Sequence, residues 1–182
     1  MSLLSSAAPG FRGRALLGSR SQPGSASPWP AWPPPPTRRP ARSPFRGSQL
    51  TIVAQQGADN QIAVTQFTDG TFRALDTGAD LSPGDSCVED VDNPGVMECS
   101  AADQVSVDSG DGNDNVLVST SGNAYVHAGE GNDTVQVTST DATRGVSVDG
   151  GPGDDSITTG DSGDGVNAGP GDDTVDTGAG DD

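Results

Sequence analysis

Aliphatic residues return at regular intervals through the C-terminal part of the chain, Gln104–Asp182, and glycine and aspartate fill the intervals between them. Near the C terminus the pattern has a period of nine, with aspartates at positions 155, 164, 173 and 182. Six residues can turn the chain through a corner, and three can form a minimal strand before the next corner. The pattern therefore predicts short strands that alternate with corners.

The repeating unit is Gly-x-Gly-x-Asp, followed two residues later by an aliphatic residue. Two weaker copies lie at Asp161–Val166 and Thr177–Asp182. Corner positions need a positive φ or close backbone approach, which glycine allows and β-branched residues do not. The full copies span Ser109–Val116, Ala128–Val135, Gly150–Ile157 and Ala168–Val175.

Two nine-residue units make one coil of 18 residues, and stacked coils place their strands in two parallel sheets. Ile157, Val166 and Val175 then point into a thin aliphatic core. The predicted fold class is therefore all-β, a parallel β-roll (β-solenoid) of 18-residue coils. A large conventional core is excluded, because only 31% of the 182 residues are hydrophobic and 4% are aromatic.

The aspartates of such a stack are placed to bind calcium. Adjacent coils lie about 4.7 to 4.9 Å apart and calcium takes oxygen ligands at about 2.3 to 2.6 Å, so the ion fits between two corners. Without a cation, like charges about 5 Å apart repel by roughly 3 kcal/mol at an effective dielectric constant of about 20. Aspartates 18 residues apart share one edge, which pairs Asp155 with Asp173 and Asp164 with Asp182.

These residues resemble the hemolysin-type (RTX) calcium-binding repeat, Gly-Gly-x-Gly-x-Asp-x-aliphatic-x. Gly150–Thr158 matches every fixed position, and the other three full copies lack only the first glycine. The resemblance implies a parallel β-roll with calcium ions at its corners, and export from a bacterial cell to an extracellular location. The metal site is then expected to comprise Gly110, Gly112, Asp114, Gly129, Gly131, Asp133, Gly151, Gly153, Asp155, Asp164, Gly169, Gly171, Asp173 and Asp182.

The earlier copies depart from the strict spacing, with 19 residues from Asp114 to Asp133 and 22 from Asp133 to Asp155. Their calcium sites are correspondingly weaker predictions than those of the last copies. Bound calcium is nevertheless expected to concentrate on the edge with complete corners, since the opposite edge becomes repeat-like only around Asp164 and Asp182.

Residues 49–103 predict a small antiparallel β-unit ahead of the repeats, residues 104–182. Leu50–Ala54 and Gln61–Phe67 are rich in β-branched residues and are expected to be strands. Thr68-Asp69-Gly70 carries an Asp-Gly turn signal before a further strand, Thr71–Asp76, which predicts a hairpin. An open roll exposes the end of its core and its first strand edges, so this unit is expected to cap them.

The only two cysteines, Cys87 and Cys99, flank a strong reversing turn at Asp92-Asn93-Pro94-Gly95. The turn can bring the thiols together across a hairpin, so the link before the repeats is expected to contain a structural disulfide, with free thiols as the alternative. A zinc site needs more ligands of this kind, and a redox pair would normally be Cys-x-x-Cys.

Residues 1–48 hold seven arginines, no acidic residue and ten of the fourteen prolines, which predicts a disordered tail. Its composition resembles a transit peptide, and Pro-Pro-Pro-Pro-Thr-Arg-Arg-Pro resembles a ligand of proline-reading domains. Its apolar run is too short for a clear secretory signal peptide. Residues 49–182 hold 26 acids and two arginines, a charge that repels nucleic acid and anionic membranes and attracts cations. No apolar run approaches the roughly 18 residues that span a bilayer.

The residues do not support enzyme chemistry. His127 is the only histidine, which excludes a His-Glu-x-x-His zinc site, and it is expected to be an ordinary strand residue. No Gly-x-Ser-x-Gly nucleophile motif occurs. We therefore expect a secreted module that calcium folds, with no indicated protein partner. The alternatives are a structural or adhesive extracellular repeat, and the non-catalytic part of a larger exported enzyme or toxin.

Overall fold

The structure is a computed structural model that describes residues 49–79, 81–83 and 86–182. The predicted disordered tail, residues 1–48, lies outside the described residues. The described residues form fourteen strands and no helix, so none of them belongs to a helix long and apolar enough to cross a membrane. The all-β prediction is confirmed. The strands are β1 Gln49–Val53, β2 Gln61–Gln66, β3 Phe72–Asp76, β4 Ser82–Pro83, β5 Cys87–Glu89, β6 Val96–Cys99, β7 Gln104–Asp108, β8 Asn115–Thr120, β9 Asn123–His127, β10 Thr134–Ser139, β11 Val146–Asp149, β12 Ser156–Thr158, β13 Gly165–Asn167 and β14 Thr174–Asp176.

Most of these strands stack into a parallel β-solenoid, as the repeats predict. The first sheet has the order β13-β11-β9-β7-β1-β4, and the second has the order β14-β12-β10-β8-β2-β3-β6-β5. Each coil contributes one strand to each sheet, and neighbouring coils are in register. In the second sheet, for example, Val135 of β10 lies between Val116 of β8 and Ile157 of β12.

The core is a thin aliphatic layer between the two sheets. Side chains along a strand alternate between its two faces, so β7 buries Val105 and Val107 and β10 buries Val135 and Val137. Toward the C terminus the strands shorten to three residues, and Val175 of the last strand is 44% exposed. The apolar contribution to stability is therefore largest in the N-terminal coils and smallest in the last one.

The first coil lies in the segment that the sequence assigns to the cap. β1 pairs in parallel with β7, and β2 pairs in parallel with β8, so the predicted boundary at residue 103 falls inside the stack. Register places Asn60 level with Asp114 of the next coil. The first corner carries Gly57 as its single glycine and Asn60 in place of the motif aspartate, which is why the sequence pattern conceals it.

An antiparallel extension covers the first coil, in the place predicted for the cap. β2 and β3 form the expected hairpin, with Gly70 at a positive φ in its turn. β6 and β5 continue the second sheet beyond β3, and β4 pairs antiparallel with β1 in the first sheet. Both strands of the first coil therefore have a hydrogen-bonded neighbour on their outer side, and the sheets end at this side in the short strands β4 and β5, a common way to protect an edge.

A buried ion pair joins two strands of the cap. Arg73 of β3 donates hydrogen bonds from Nε and Nη2 to Oε1 of Glu98 on β6, at 2.9 and 2.6 Å. The Arg73 residue is 1% exposed. Loss of either residue would remove a charged hydrogen-bond partner from a buried charge, which is destabilising.

Cys87 and Cys99 form a disulfide, which confirms the predicted pairing. The two cysteines lie opposite each other on β5 and β6. The intervening turn closes with a hydrogen bond of 3.1 Å from the Val96 N–H to the Asn93 carbonyl, and Gly95 adopts a φ of 86°. The disulfide therefore fixes the outermost hairpin of the cap.

Candidate metal centre

The corners of the solenoid lie along two edges that differ in regularity. Edge one runs from the first sheet to the second through residues 54–60, 109–114, 128–133, 150–155 and 168–173. Edge two makes the return connections through residues 67–103, 121–122, 140–145 and 159–164. The last four corners of edge one have the same length, so the irregular spacing of their aspartates comes entirely from edge two and from strand length.

Two glycines in each of these four corners adopt a positive φ, as the motif requires. A methyl group on Gly131 would overlap the carbonyl oxygen of Gly112, and one on Gly153 would overlap the carbonyl oxygen of Gly131. These glycines are therefore fixed both by conformation and by contact with the preceding coil. They are Gly110, Gly112, Gly129, Gly131, Gly151, Gly153, Gly169 and Gly171, with φ between 88° and 155°.

The first position of the motif tolerates other small residues. Gly150, which occupies it in the copy that matches throughout, does not have a positive φ. In the preceding coil the same position is Ala128, whose side chain is fully buried in the core. The missing first glycine therefore does not distort the corners that lack it.

The motif aspartates of edge one form a continuous column, Asp114, Asp133, Asp155 and Asp173, which we call the aspartate column. In each step the backbone N–H of one aspartate donates to Oδ1 of the aspartate in the next coil. The N–H of Asp114 reaches Asp133 at 2.8 Å, that of Asp133 reaches Asp155 at 2.9 Å, and that of Asp155 reaches Asp173 at 3.0 Å. The carboxylates therefore lie inside the corners, one above another.

The second oxygen of the first three carboxylates in the column lacks a partner among the described residues. Oδ2 of Asp114, Asp133 and Asp155 is buried and accepts no hydrogen bond from the described residues, and these aspartates are only 1% to 2% exposed. A buried carboxylate oxygen without a donor is costly. Each corner thus presents an oxygen that a cation or a proton would stabilise.

Burial raises the pKa of the first three members of the aspartate column. Desolvation raises the pKa of Asp133 to about 6, and the neighbouring negative charges of Asp114 and Asp155 act in the same direction. Desolvation also raises the pKa of Asp114 and of Asp155. The hydrogen bonds from backbone N–H groups oppose these shifts without cancelling them. The column therefore carries its negative charge at a free-energy cost when no cation is present.

A second ladder runs along the outside of edge one, one residue before the aspartate column. The N–H of Asn132 donates to Oδ1 of Asn113 at 2.9 Å, and the N–H of Asp154 donates to Oδ1 of Asn132 at 2.9 Å. Asp172 continues the ladder with a bond of 2.8 Å to Asp154. Sequence reasoning missed this ladder, although the fifth motif position is Asn or Asp in every full copy.

Edge two repeats this arrangement only at its C-terminal end. Oδ1 of Asp164 accepts hydrogen bonds from the Val146 N–H at 3.1 Å and the Ser162 hydroxyl at 2.7 Å, and its Oδ2 is buried without a partner among the described residues. The Asp164 N–H donates to Oδ1 of Asp182 at 2.9 Å. The predicted neighbours Asp155 and Asp173, and Asp164 and Asp182, are therefore adjacent on their respective edges.

An open acidic groove of about 380 Å³ lies beside edge one, and Asp108, Asp111 and Glu130 contribute to its lining. His127 also lines it from β9, where the sequence predicts an ordinary strand residue, and its Nδ1 lies 3.4 Å from Oδ2 of Asp149. Asp111 and Glu130 are exposed. The groove adds negative potential next to the corners.

The corners fit a hard divalent cation, because calcium takes about six to eight oxygens from carboxylates and backbone carbonyls. In these corners the orphaned Oδ2 atoms would supply the carboxylate part, and the glycine carbonyls that face the next coil would supply backbone oxygens. Within the described ranges, no three or more His, Cys, Asp and Glu side chains converge on one point. A bound ion would therefore depend on backbone carbonyls as much as on side chains.

Comparison with known protein families, with curated proteins and with solved structures finds no match. The functional interpretation therefore depends on the repeat motif and on the geometry of its corners.

Proposed function

We propose that this protein binds calcium ions at the corners of edge one, and that the bound ions stabilise the coils around them. The observation that carries the proposal is the aspartate column, in which consecutive buried carboxylates each keep one oxygen without a partner. A divalent cation between two corners would replace a buried repulsion by attraction.

The charge of the repeats supports the same proposal. Residues 104–182 contain fifteen aspartates and one glutamate against a single arginine, so their own cations cannot neutralise them. A ligand that binds only the folded state stabilises it by about 2.7 kcal/mol per site at one hundred times its dissociation constant. A few such sites are comparable to the whole stability of a small domain, about 5 to 15 kcal/mol.

Calcium would be held by the carboxylates of the aspartate column and by carbonyls of the paired glycines. On edge two, Asp164 and Asp182 offer one further slot. The ion would supply positive charge and bridge successive coils, which is a structural role rather than a catalytic one. The resemblance to the hemolysin-type repeat supports an extracellular location, where weak calcium sites of about 10⁻⁴ to 10⁻³ M are occupied.

A calcium titration followed by far-ultraviolet circular dichroism and by hydrodynamic radius tests the proposal. We expect calcium to increase the β signal and contract the chain, EDTA to reverse both changes, and magnesium at equal concentration to act weakly, because it demands a tighter octahedral site. A β signal and a radius that do not respond to chelation would refute calcium-driven folding.

The second candidate is a structural or adhesive repeat that needs no specific ion. The observation in its favour is that Oδ1 of each motif aspartate already accepts a backbone N–H from the preceding coil, which holds the corners together without a metal. The same titration, extended to a monovalent salt at equal ionic strength, separates the two candidates, because this repeat would respond equally to all three salts through charge screening alone.

A further inference from the structure

The first corner of edge one carries an amide where the later corners carry a carboxylate. Asn60 occupies the position of the motif aspartate, is fully buried, and donates its backbone N–H to Oδ1 of Asp114 at 2.7 Å. It is therefore the first member of the same column, but its side chain is neutral.

The amide nitrogen of Asn60 is surrounded by oxygen atoms. Nδ2 lies 2.8 Å from the carbonyl of Ser109, 3.0 Å from that of Ala58, 3.3 Å from that of Gln55 and 3.0 Å from Oδ1 of Asp114. All four neighbours are acceptors that share the two N–H hydrogens of the amide, and none can donate one in these contacts. Oδ1 of Asn60 is buried and accepts no hydrogen bond from the described residues. An oxygen in this place would face four acceptors, so the amide orientation is fixed by its surroundings.

The second corner contains a smaller internal donor. Ser109, at the first motif position, donates its hydroxyl to the carbonyl of Ala128 at 2.9 Å, inside the corner. The residues at this position in the following corners are Ala128, Gly150 and Ala168, whose side chains have no donor. Internal donors are thus present in the two corners nearest the cap and absent from the motif's first position in the last three.

We infer that the amide of Asn60 does inside the first corner what a cation does in the later corners, so that the first coil closes without metal and serves as the template on which the calcium-dependent coils stack. The inference rests on the proposed calcium binding of the later corners. The amide group offers partial positive charge to an oxygen cage formed by three backbone carbonyls and one carboxylate, and it does so permanently.

The rest of the N-terminal end is built for the same purpose. The first coil contains the fully buried Leu50, Ile52 and Ile62, whereas Val175 in the last coil is 44% exposed. The ion pair of Arg73 and the disulfide hold β3, β6 and β5 of the cap to one another, and β3 pairs with β2 of the first coil. Folding that needs calcium at every coil would have to nucleate on charged corners, whereas a metal-free first coil gives propagation a fixed starting point.

Hydrogen exchange of the full chain, followed by mass spectrometry in EDTA and in saturating calcium, tests the inference on the wild type and on Asn60→Asp. In wild type we expect residues 49–66 and 104–120 to be protected in EDTA, and residues 146–176 to become protected only with calcium. Asn60→Asp puts an acceptor among four oxygens. We expect it to exchange about tenfold faster or more over residues 49–66 in EDTA, and calcium to restore the protection.

Asn113→Asp is the matched control. It adds the same charge in the neighbouring coil, but Oδ1 of Asn113 acts as an acceptor for the Asn132 N–H, a role that a carboxylate also fills. We expect its exchange over residues 49–66 in EDTA to equal that of wild type. Ser109→Ala is a milder second variant, and we expect it to speed exchange over residues 104–120 in EDTA but not in calcium.

Three results would overturn the inference: exchange in EDTA that is as fast over residues 49–66 as over residues 146–176, Asn60→Asp with wild-type protection in EDTA, or Asn60→Asp that calcium fails to protect. If the proposed calcium binding itself is wrong, the exchange experiment gives a different result. In that case calcium leaves exchange over residues 146–176 of the wild type unchanged, while the EDTA comparison of wild type with Asn60→Asp still reports the role of the amide.

Discussion

The two edges of the solenoid perform the same topological task under very different constraints. From the second coil onward, edge one turns the chain in six residues every time, with two glycines of positive φ and one motif aspartate per corner, which is buried in all but the last. Edge two turns it in two residues at 121–122 and in thirty-seven at 67–103, where the whole cap is inserted. The number of residues per corner is therefore constant on edge one from the second coil onward and variable on edge two.

The difference follows from what connects neighbouring coils. On edge one, hydrogen bonds run from coil to coil at both the fifth and the sixth motif positions, as between Asp133 and Asp155 and between Asn132 and Asp154. An inserted residue would shift both ladders out of register. On edge two a carboxylate ladder forms only around Asp164, and the earlier corners use contacts of a different kind, such as the 2.6 Å hydrogen bond from the Ser121 N–H to Oε1 of Gln66. No repeated ladder therefore fixes the length of those earlier corners. The regular edge is consequently the one where ligands can recur at a fixed spacing.

The largest expected effect is the loss of stability when a methyl group is added to a glycine of edge one. Gly131→Ala places Cβ against the carbonyl oxygen of Gly112 at a φ of 137°. Strain in this region costs about 1 to 3 kcal/mol by itself, and the backbone overlap adds to it. We expect a loss of roughly 3 kcal/mol or more in the free energy of unfolding, measured by urea denaturation in saturating calcium.

Gly165→Ala is the matched substitution at the end of an edge-two corner. A Cβ there has no atom within 4 Å, and the residue does not have a positive φ. We expect a change between zero and a stabilisation of about 1 kcal/mol, because alanine restricts the unfolded chain. Equal losses for the two variants would mean that edge one is not the constrained edge.

The sequence predicts the regular edge well and the rest of the molecule less completely. Gly112, Gly131 and Gly153 recur because the positive φ and the close stacking each require glycine. The structural requirement therefore produces the repeat that is visible in the sequence. The cap hairpin and the disulfide follow from local turn signals at Asp69-Gly70 and Asn93-Pro94-Gly95, which do not depend on distant residues.

The first coil could not be identified in this way. Gly57 and Asn60 preserve too little of the motif, and only the parallel pairing of β1 with β7 and of β2 with β8 shows that they form a corner. The outer ladder of Asn113, Asn132 and Asp154 was visible in the sequence as a restriction of the fifth motif position to Asn or Asp. Aspartate is so frequent throughout the repeats that this restriction did not stand out. Long-range register, rather than local preference, decides both features.

A smaller effect is expected from neutralising a single member of the aspartate column. Asp155→Asn keeps an acceptor at Oδ1 for the Asp133 N–H but removes the charge. We expect the calcium midpoint of folding to rise by about 5- to 150-fold, which corresponds to the roughly 1 to 3 kcal/mol of an interaction with a charged group. In EDTA we expect Asp155→Asn to stabilise the folded state instead, because the same change relieves repulsion from Asp133 and Asp173.

Asp176→Asn is the control for this prediction. Asp176 is an exposed residue of β14 whose Oδ1 accepts the Gly178 N–H at 3.1 Å, a contact that asparagine retains. We expect its calcium midpoint to remain that of wild type or to fall slightly. Equal midpoints for Asp155→Asn and Asp176→Asn would indicate a diffuse acidic cloud instead of placed ligands. Circular dichroism during calcium titration provides the measurement.

The smallest expected effect is the pH dependence of the calcium-free protein. Burial raises the pKa of Asp133 to about 6 from an ordinary value of 3.8, so between these values the folded state binds more protons than the unfolded chain. Stability should therefore increase as pH falls from about 6 toward about 4, by at most about tenfold in the unfolding equilibrium constant for this group at pH 5. The pKa values of Asp90 and Asp141 are lowered by hydrogen bonds from Asn93 and Thr143 respectively, so protonation of these two groups at still lower pH opposes the increase in stability.

Thermal unfolding in calcium-stripped buffer at pH 7 and pH 5 measures the effect, with Asp133→Asn as the variant that should lose most of it. In saturating calcium the slope should reverse, because protons then compete with the ion for the same oxygens. A calcium-free protein that is less stable at pH 5 than at pH 7 would contradict the assignment of the cost to the buried aspartate column.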